Sequence, residues 1–281
     1  MAPSAQVKEA HEPEALEIQL LLDGIFRQYG YDFRDYALSS ITRRIASFLA
    51  SEGLPTISGL QEKILHDAQA MARLLAHLTT HVNALFRDPN FFLALRNQVI
   101  PMLKTYPFLR IWAAGCSTGE EVYSTAIVLK EEGIYDRCRI YATDLSQEVL
   151  DKAKEGITPR GLLKGCSTNY REAGGSASLS DYTTADGAQV LLDPSLKANV
   201  LFAQHNLVTD SSFNEFHLIL CRNVMIYFNQ TLRDRVHQLL YKSLCNFGYL
   251  ALGNEESLKF TAFEPCYEEV GGTTKIYRKV R

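Results

Sequence analysis

Over residues 16–78 the apolar positions recur at helical spacing. Ile18, Leu21, Leu22, Ile25 and Phe26 fall three and four residues apart, the stripe of an amphipathic helix. A second stripe, Ile41, Ile45, Phe48 and Leu49, ends at "SEGLP", where Gly53 and Pro55 act as stop signals. A third carries Leu60, Ile64, Met71, Leu74, Leu75 and Leu78. No strand period interrupts these runs, so 16–78 is predicted to be an all-helical domain behind a flexible polar tail, 1–15. Arg43 and Arg44 lie in the second run, and a solvated helix surface is preferred for them over a basic docking face.

The segment "FRDPNFFLALRNQVIPMLKTYPF" (86–108) reads as a turn at Asp88-Pro89, then a helix and a linker. Beyond it the period changes. Strand candidates are "LRIWAAG", "RIYATDL", "NVLFAQHNL", "FHLILCRNV" and "GYLALGN". Helical stretches at 120–132, 147–155 and 230–247 separate most of them. Strands alternating with helices predict the α/β class, with a doubly wound, mostly parallel sheet over 109–281. The end, "CYEEVGGTTKIYRKV", predicts two strands joined at Gly271-Gly272 as an antiparallel edge hairpin. Residues 157–192 are too polar for core and too long for a simple connection, and are expected to form a small inserted subdomain.

Composition narrows the class without changing the fold. The chain has 281 residues, 46% hydrophobic and 22% charged, an ordinary globular balance. A net charge of -3, from 29 Lys+Arg against 32 Asp+Glu, gives no global basic field, so no nucleic-acid partner is expected. The six cysteines form no CxxC and no Cys/His spacing of a zinc site. No metal is expected, and reduced thiols fit the cytosol. "MAPSAQVKEAHEPEALE" has no apolar signal core, and no run approaches 18 apolar residues, so a cytoplasmic protein without membrane insertion is expected. Nothing in the sequence signals a dimer.

The chemistry gathers at strand ends. In "RIWAAGCSTGEEVYSTA" (110–126), a strand stops at Gly115 and a helix begins after Gly119. Neither G-x-G-x-x-G nor G-K-[ST] is present, and Glu120 and Glu121 stand where a helix N-terminus would otherwise attract phosphate. A phosphate-free cofactor with positive groups is indicated. S-adenosylmethionine, with its sulfonium, ammonium and nucleoside, fits. Asp144 follows the second strand 25 residues past Gly119, where a carboxylate accepts hydrogen bonds from ribose hydroxyls. Its alternative is an N-cap on the next helix, a role Ser146 also offers. One of the two glutamates is expected to be functional, and the residues alone do not choose which.

"AAGCSTGEEVYSTAI", "IYATDLSQEVLDKA", "FAQHNL" and "LILCRNVMIYFN", preceded by "LFRDPNFF", together resemble the CheR-type chemoreceptor glutamate methyltransferases. These use S-adenosylmethionine to methylate glutamate side chains on receptor signalling helices, releasing S-adenosylhomocysteine. The resemblance runs from about Leu16 to the C-terminus. It implies an N-terminal helical domain, a Rossmann-like class I methyltransferase domain and a small inserted β-subdomain, with 79–108 a linker and helix contributing to the cofactor site. By motif, Gly115, Glu120, Glu121 and Asp144 would bind the cofactor, Asn206 and Leu207 would flank adenine, and Arg222 and Asn223 would line the pocket. Arg87 would close over the cofactor and, with Tyr227, act in catalysis.

The usual family segment T-x-N-x-T-x-F-F-R is here "TTHVNALFR". His81 stands where asparagine is usual, Asn83 where threonine is usual and Leu85 where phenylalanine is usual. His81 and Asn83 still donate and accept hydrogen bonds and are kept as cofactor-binding candidates. The expected partner is the cytoplasmic helical region of a chemoreceptor or similar signalling protein, met by a monomer. Capture of a receptor tail peptide by the insertion is not predicted. Alternatives are a methyltransferase with another acceptor, or an S-adenosylmethionine-binding regulatory module with weak or no catalysis.

Overall fold

The structure, a computed structural model, describes residues 12–79, 84–163 and 165–281. The chain divides into two compact units between Leu78 and Thr79. The first holds α1 (Glu12–Tyr29), α2 (Leu38–Glu52), α3 (Ile57–His66) and α4 (Ala68–Thr79). The expected tail lies mostly outside the described residues, and α1 starts at Glu12, where Pro13 costs no hydrogen bond because first-turn N–H groups have no intrahelical partner. The third predicted run is two helices. Asp67 between them is extended (φ -127°, ψ 102°), and its side chain accepts the Gln69 N–H at 2.8 Å. Ile18, Leu21, Ile45, Leu60, Ile64 and Leu74 are buried in this unit. Arg44 donates to the carbonyls of His77 at 3.1 Å and Leu78 at 2.8 Å, a cation at the carboxyl end of α4.

The second unit opens with α5 (Pro89–Ala94) and α6 (Ile100–Leu103), joined through a π turn at Leu95–Val99. β1 (Leu109–Ala114), α7 (Glu120–Glu131), β2 (Cys138–Asp144) and α8 (Gln147–Glu155) follow. Next come β3 (Ile157–Pro159), α9 (Cys166–Glu172), β4 (Thr183–Asp186), β5 (Gln189–Leu192) and β6 (Val200–Gln204). The chain ends with β7 (Phe216–Cys221), α10 (Gln230–Ser243), β8 (Leu244–Leu252), β9 (Tyr267–Val270) and β10 (Ile276–Lys279). The main sheet runs β6-β2-β1-β7-β8-β10-β9. Its first five strands are parallel, and β10 pairs antiparallel with both β8 and β9. The sheet is thus mostly parallel with an antiparallel edge, and it is doubly wound. β2 and β6 extend from one side of β1, and the chain returns to β7 on the other. Strand β1 is buried almost throughout because helices cover both sheet faces.

The insertion is a separate antiparallel sheet, β3-β5-β4, and it also carries α9, which its Gly/Ser-rich composition hid. Tertiary contacts hold that helix. Cys166 and Tyr170 are buried, and Glu131 of α7 accepts hydrogen bonds from Arg96, Tyr170 and Tyr182. A second correction concerns 230–247, which is not one helix. α10 ends at Ser243 and β8 begins at once, its pairing with β7 jumping from Phe216↔Leu244 to Leu218↔Tyr249. The bulge takes up the extra residues, with Phe247 left-handed (φ 64°).

Candidate active site

All five parallel strands end on one edge, and the winding reverses between β1 and β7, which places the ligand crevice there. After β1 the loop turns through Gly115 (φ 75°), Ser117 (φ 48°) and Gly119 (φ 92°). A Cβ on Gly115 would stand 2.6 Å from Val224 in the loop after β7, so glycine lets these two loops touch. A Cβ on Gly119 would meet Tyr123 at 3.1 Å and Ala153 at 3.2 Å, which brings the start of α7 against α8.

Asp144, at the end of β2, is buried, and it is not the cap of α8. Ser146 takes that place, accepting the Val149 N–H at 3.4 Å. The Asp144 carboxylate accepts the Ser117 N–H at 2.9 Å and the Ser146 N–H at 3.1 Å, clamping the β1 and β2 loops together. Burial raises its pKa above the ordinary carboxylate value, opposed by the N–H groups of Ser146, Ser117 and Leu145. The carboxylate, with about four acceptor sites, keeps capacity for a further donor.

The two glutamates differ. Glu121 accepts from Arg222 at 2.6 Å. Glu120 is 6% exposed, and it accepts from the Thr118 hydroxyl at 2.7 and 2.9 Å. A buried carboxylate satisfied by one neutral hydroxyl has capacity for a cation. Nearby, the Ser117 hydroxyl is buried without a hydrogen-bond partner among the described residues.

Arg222 has a side chain only 1% exposed. It spans Glu121 and Asp88, the latter at 2.7 Å, and lies 3.9 Å over the Phe91 ring. Two carboxylates thus more than offset its charge, so that removing either still leaves the buried guanidinium one partner. This pairing also takes Asp88 away from Arg87, whose side chain makes no ion pair among the described residues. Arg87 sits between two left-handed residues, Phe86 (φ 55°) and Asp88 (φ 59°). The surroundings fix both: Phe86 is fully buried with its N–H on the Ser124 hydroxyl at 2.9 Å, and Asp88 is held by Arg222. Strain of about 1–2 kcal/mol per left-handed residue persists only when so over-determined, and it concentrates at functional sites.

One organising residue was not foreseen in the sequence. Glu256, buried after β8, accepts four backbone N–H bonds: Asn223 at 2.9 Å, Val224 at 2.8 Å, Met225 at 2.7 Å and Gly253 at 2.5 Å. It fixes the turn that holds Asn223 (φ 61°) and the short helix Met225–Tyr227. Across the crevice the loop after β6 places Asn206 and buried Leu207, with Asn206 Oδ1 accepting the Val208 N–H at 2.9 Å. His81 and Asn83 lie outside the described residues. The structure therefore joins Gly115, Glu121, Asp144, Arg222 and Asn223 through shared contacts and adds Ser117, Asp88 and Glu256. Asn206 touches the group only through the strand ends, where the His205 N–H donates to the Asp144 carbonyl at 3.1 Å.

An acidic crevice at the switch point of this strand order defines a Rossmann-like methyltransferase. Comparison with known proteins agrees. The CheR methyltransferase SAM-binding domain matches residues 81–275 and the CheR all-alpha domain residues 16–79. A Pseudomonas putida protein bearing the name Cher3 is 47% identical over 264 residues, covering 94% of this chain and 97% of its own. A Listeria innocua protein named chemotaxis protein methyltransferase is 32% identical, covering 83% of this chain and 86% of its own. One of the same name from Borreliella burgdorferi is 30% identical, covering 86% and 88%. The chain belongs to the CheR methyltransferase family, and its cofactor is S-adenosylmethionine. The crevice fits that cofactor: buried Glu120, Asp144 with spare acceptor capacity, an unpartnered Ser117 hydroxyl, and no lysine or arginine in the 115–121 loop to receive phosphate.

Proposed function

We propose that the chain is a protein-glutamate O-methyltransferase acting, as a cytoplasmic monomer, on the helical signalling region of a chemoreceptor or related protein. The observation that carries this reading is the buried acidic cradle of Glu120 and Asp144, from which Arg222 is withdrawn by its own two carboxylates. S-adenosylmethionine supplies an electrophilic methyl group on a sulfonium and leaves as S-adenosylhomocysteine. Glu120 takes the cofactor's ammonium, since Glu121 is engaged with Arg222. Asp144 accepts from the ribose hydroxyls while keeping its loop contacts, and Asn206 and Leu207 flank adenine. Gly115 and Asn223 shape the floor, and His81 and Asn83 complete the cofactor contacts.

The acceptor glutamate is already a nucleophile when ionised, so no general base is required. The need is for alignment and exclusion of water, because opposite charges vanish as the bond forms. Arg87, with a planar fork suited to carboxylates, orients the acceptor, and Tyr227 hydrogen-bonds to it without adding charge. The names of the Listeria and Borreliella relatives support a chemotaxis role.

The test uses tritiated-methyl S-adenosylmethionine and chemoreceptor cytoplasmic fragments. Label released by mild base identifies a glutamyl ester and is the expected result. Base-stable label would move the acceptor to another group. The altered "TTHVNALFR" segment favours a second reading, a cofactor-binding regulatory module, and retained cofactor binding with no label would establish it.

A further inference from the structure

Past Glu256, the loop after β8 turns outward at Phe260. This ring is 96% exposed, yet its backbone is left-handed (φ 65°), an unfavourable state for a bulky L-residue. The loop is held in place. The Phe260 N–H donates to Glu264 at 2.8 Å, the Thr261 hydroxyl donates to the Leu258 carbonyl at 2.7 Å, and Leu258 and Thr261 are buried. The fold thus fixes an aromatic ring in water with almost no contact inside the chain to compensate.

Beside the ring lies a cleft of about 210 Å³ lined in part by Met225, Ile226, Arg233, His237 and Lys259. Met225 and Ile226 belong to the same short helix as Tyr227, and Glu256 bonds that helix to the Phe260 loop. The rim carries Arg233 and Lys259 with the exposed carboxylate of Glu255, Glu264 lies beside Phe260, and Glu256 is turned inward onto four N–H groups.

We infer that Phe260 is a docking anchor for the acceptor protein of the methyl transfer. Its ring packs on an apolar residue of the acceptor helix, and Arg233 and Lys259 face carboxylates that flank the modified glutamate. Two observations select this occupant: the cleft is continuous with the turn bearing Tyr227, and Lys259 and Arg233 give it two cations that carboxylates beside the modified glutamate can meet. Aromatic side chains, phenylalanine among them, are enriched at protein–protein interfaces. The inference rests on the glutamate-methyltransferase reading above and deepens it.

The full chain is assayed with tritiated-methyl S-adenosylmethionine and chemoreceptor cytoplasmic fragments. Phe260→Ala should raise KM for the fragment about tenfold or more, while kcat at saturation and cofactor affinity stay unchanged. Phe260→Trp should retain most of the wild-type KM. Phe260→Gly should lose acceptor affinity with its melting temperature unchanged or raised, since glycine accepts the left-handed backbone. Lys259→Glu should also raise KM, by a factor that shrinks in high salt.

Equal KM values for wild type, Phe260→Ala and Phe260→Gly would overturn the inference and leave the glutamate-methyltransferase reading standing. Absence of base-labile label with the wild-type chain would remove both. Sedimentation equilibrium showing a wild-type dimer that Phe260→Ala dissociates would assign the ring to self-association instead and overturn acceptor docking.

Discussion

Asp144 clamps two loops together and is proposed to hold the cofactor's ribose, and alanine and asparagine variants separate the two roles. Alanine leaves the buried Ser117 and Ser146 N–H groups without their acceptor, a loss of about 1–3 kcal/mol for each unsatisfied group. Asparagine keeps one acceptor oxygen, so it should lose less stability. On the role proposed for Asp144, both variants lose the ionised partner of the ribose hydroxyls. Calorimetric affinity for S-adenosylmethionine should therefore collapse in Asp144→Ala and Asp144→Asn alike, with the larger fall in melting temperature in the alanine variant. Wild-type affinity in Asp144→Asn would take the residue out of the cofactor site. The position of Asp144, at the end of β2 beside the glycine loop, was legible in the sequence because its signal is local: a glycine loop, a strand and a carboxylate at a set interval. Glu256 was not. In "GNEES" it reads as an ordinary loop acid, and three of its four donors lie 31 to 33 residues away, met only after β7 and β8 pair. The partners of Arg222 were hidden likewise, since Asp88 is 134 residues distant.

At the scale of elements, the carbonyl-end loops behave as one braced assembly, and Glu256 is the brace of its β7 side. Glu256→Gln keeps one acceptor oxygen but turns an NH₂ toward backbone N–H groups, so at least one of the four bonds to Asn223, Val224, Met225 and Gly253 is lost to a donor–donor clash. The turn bearing Asn223 and Tyr227 should loosen. Measured well below the melting temperature, both cofactor affinity and kcat should fall, by about tenfold each if one to two kcal/mol of positioning is lost. A lowered melting temperature with unchanged kinetics would reduce Glu256 to a structural role. Elements with strong local signals matched their sequence reading: α8 spans the expected residues, with its N-cap Ser146 one position before them. Others depended on distant partners. The α9 helix is anchored by Tyr170 within a Gly/Ser-rich stretch, and α10 gives way to β8 because Leu244 pairs with Phe216, a contact no local pattern announces. The break at Asp67 was missed because apolar spacing continued across it.

At the scale of the molecule, the second unit contains a charge it must keep neutral. His237 on α10 is 3% exposed, and its Nδ1 has no hydrogen-bond partner among the described residues. Burial pushes its pKa down from 6.5 to about 4, with the Asp234 charge and the Ser257 backbone opposing and Arg233 adding to the fall. The folded value lies below the unfolded one, so between pH 6.5 and 4 the unfolded chain binds more protons, and stability rises with pH through that window. The contribution is complete above about pH 6.5 and is lost as pH falls toward 4, amounting to about 3 kcal/mol at 1.36 kcal/mol per pKa unit. Carboxylates titrate over the same range, so the total slope is not diagnostic. The difference between wild type and His237→Leu is. Two units need not unfold together, but the single tryptophan, Trp112, is buried in β1 and reports on the second unit alone. Urea unfolding followed by its fluorescence should show His237→Leu gaining on wild type as pH drops from 7 to 4.5, whatever their offset at neutral pH. A stability difference that stays constant across those pH values would show that His237 does not change its charge state on folding.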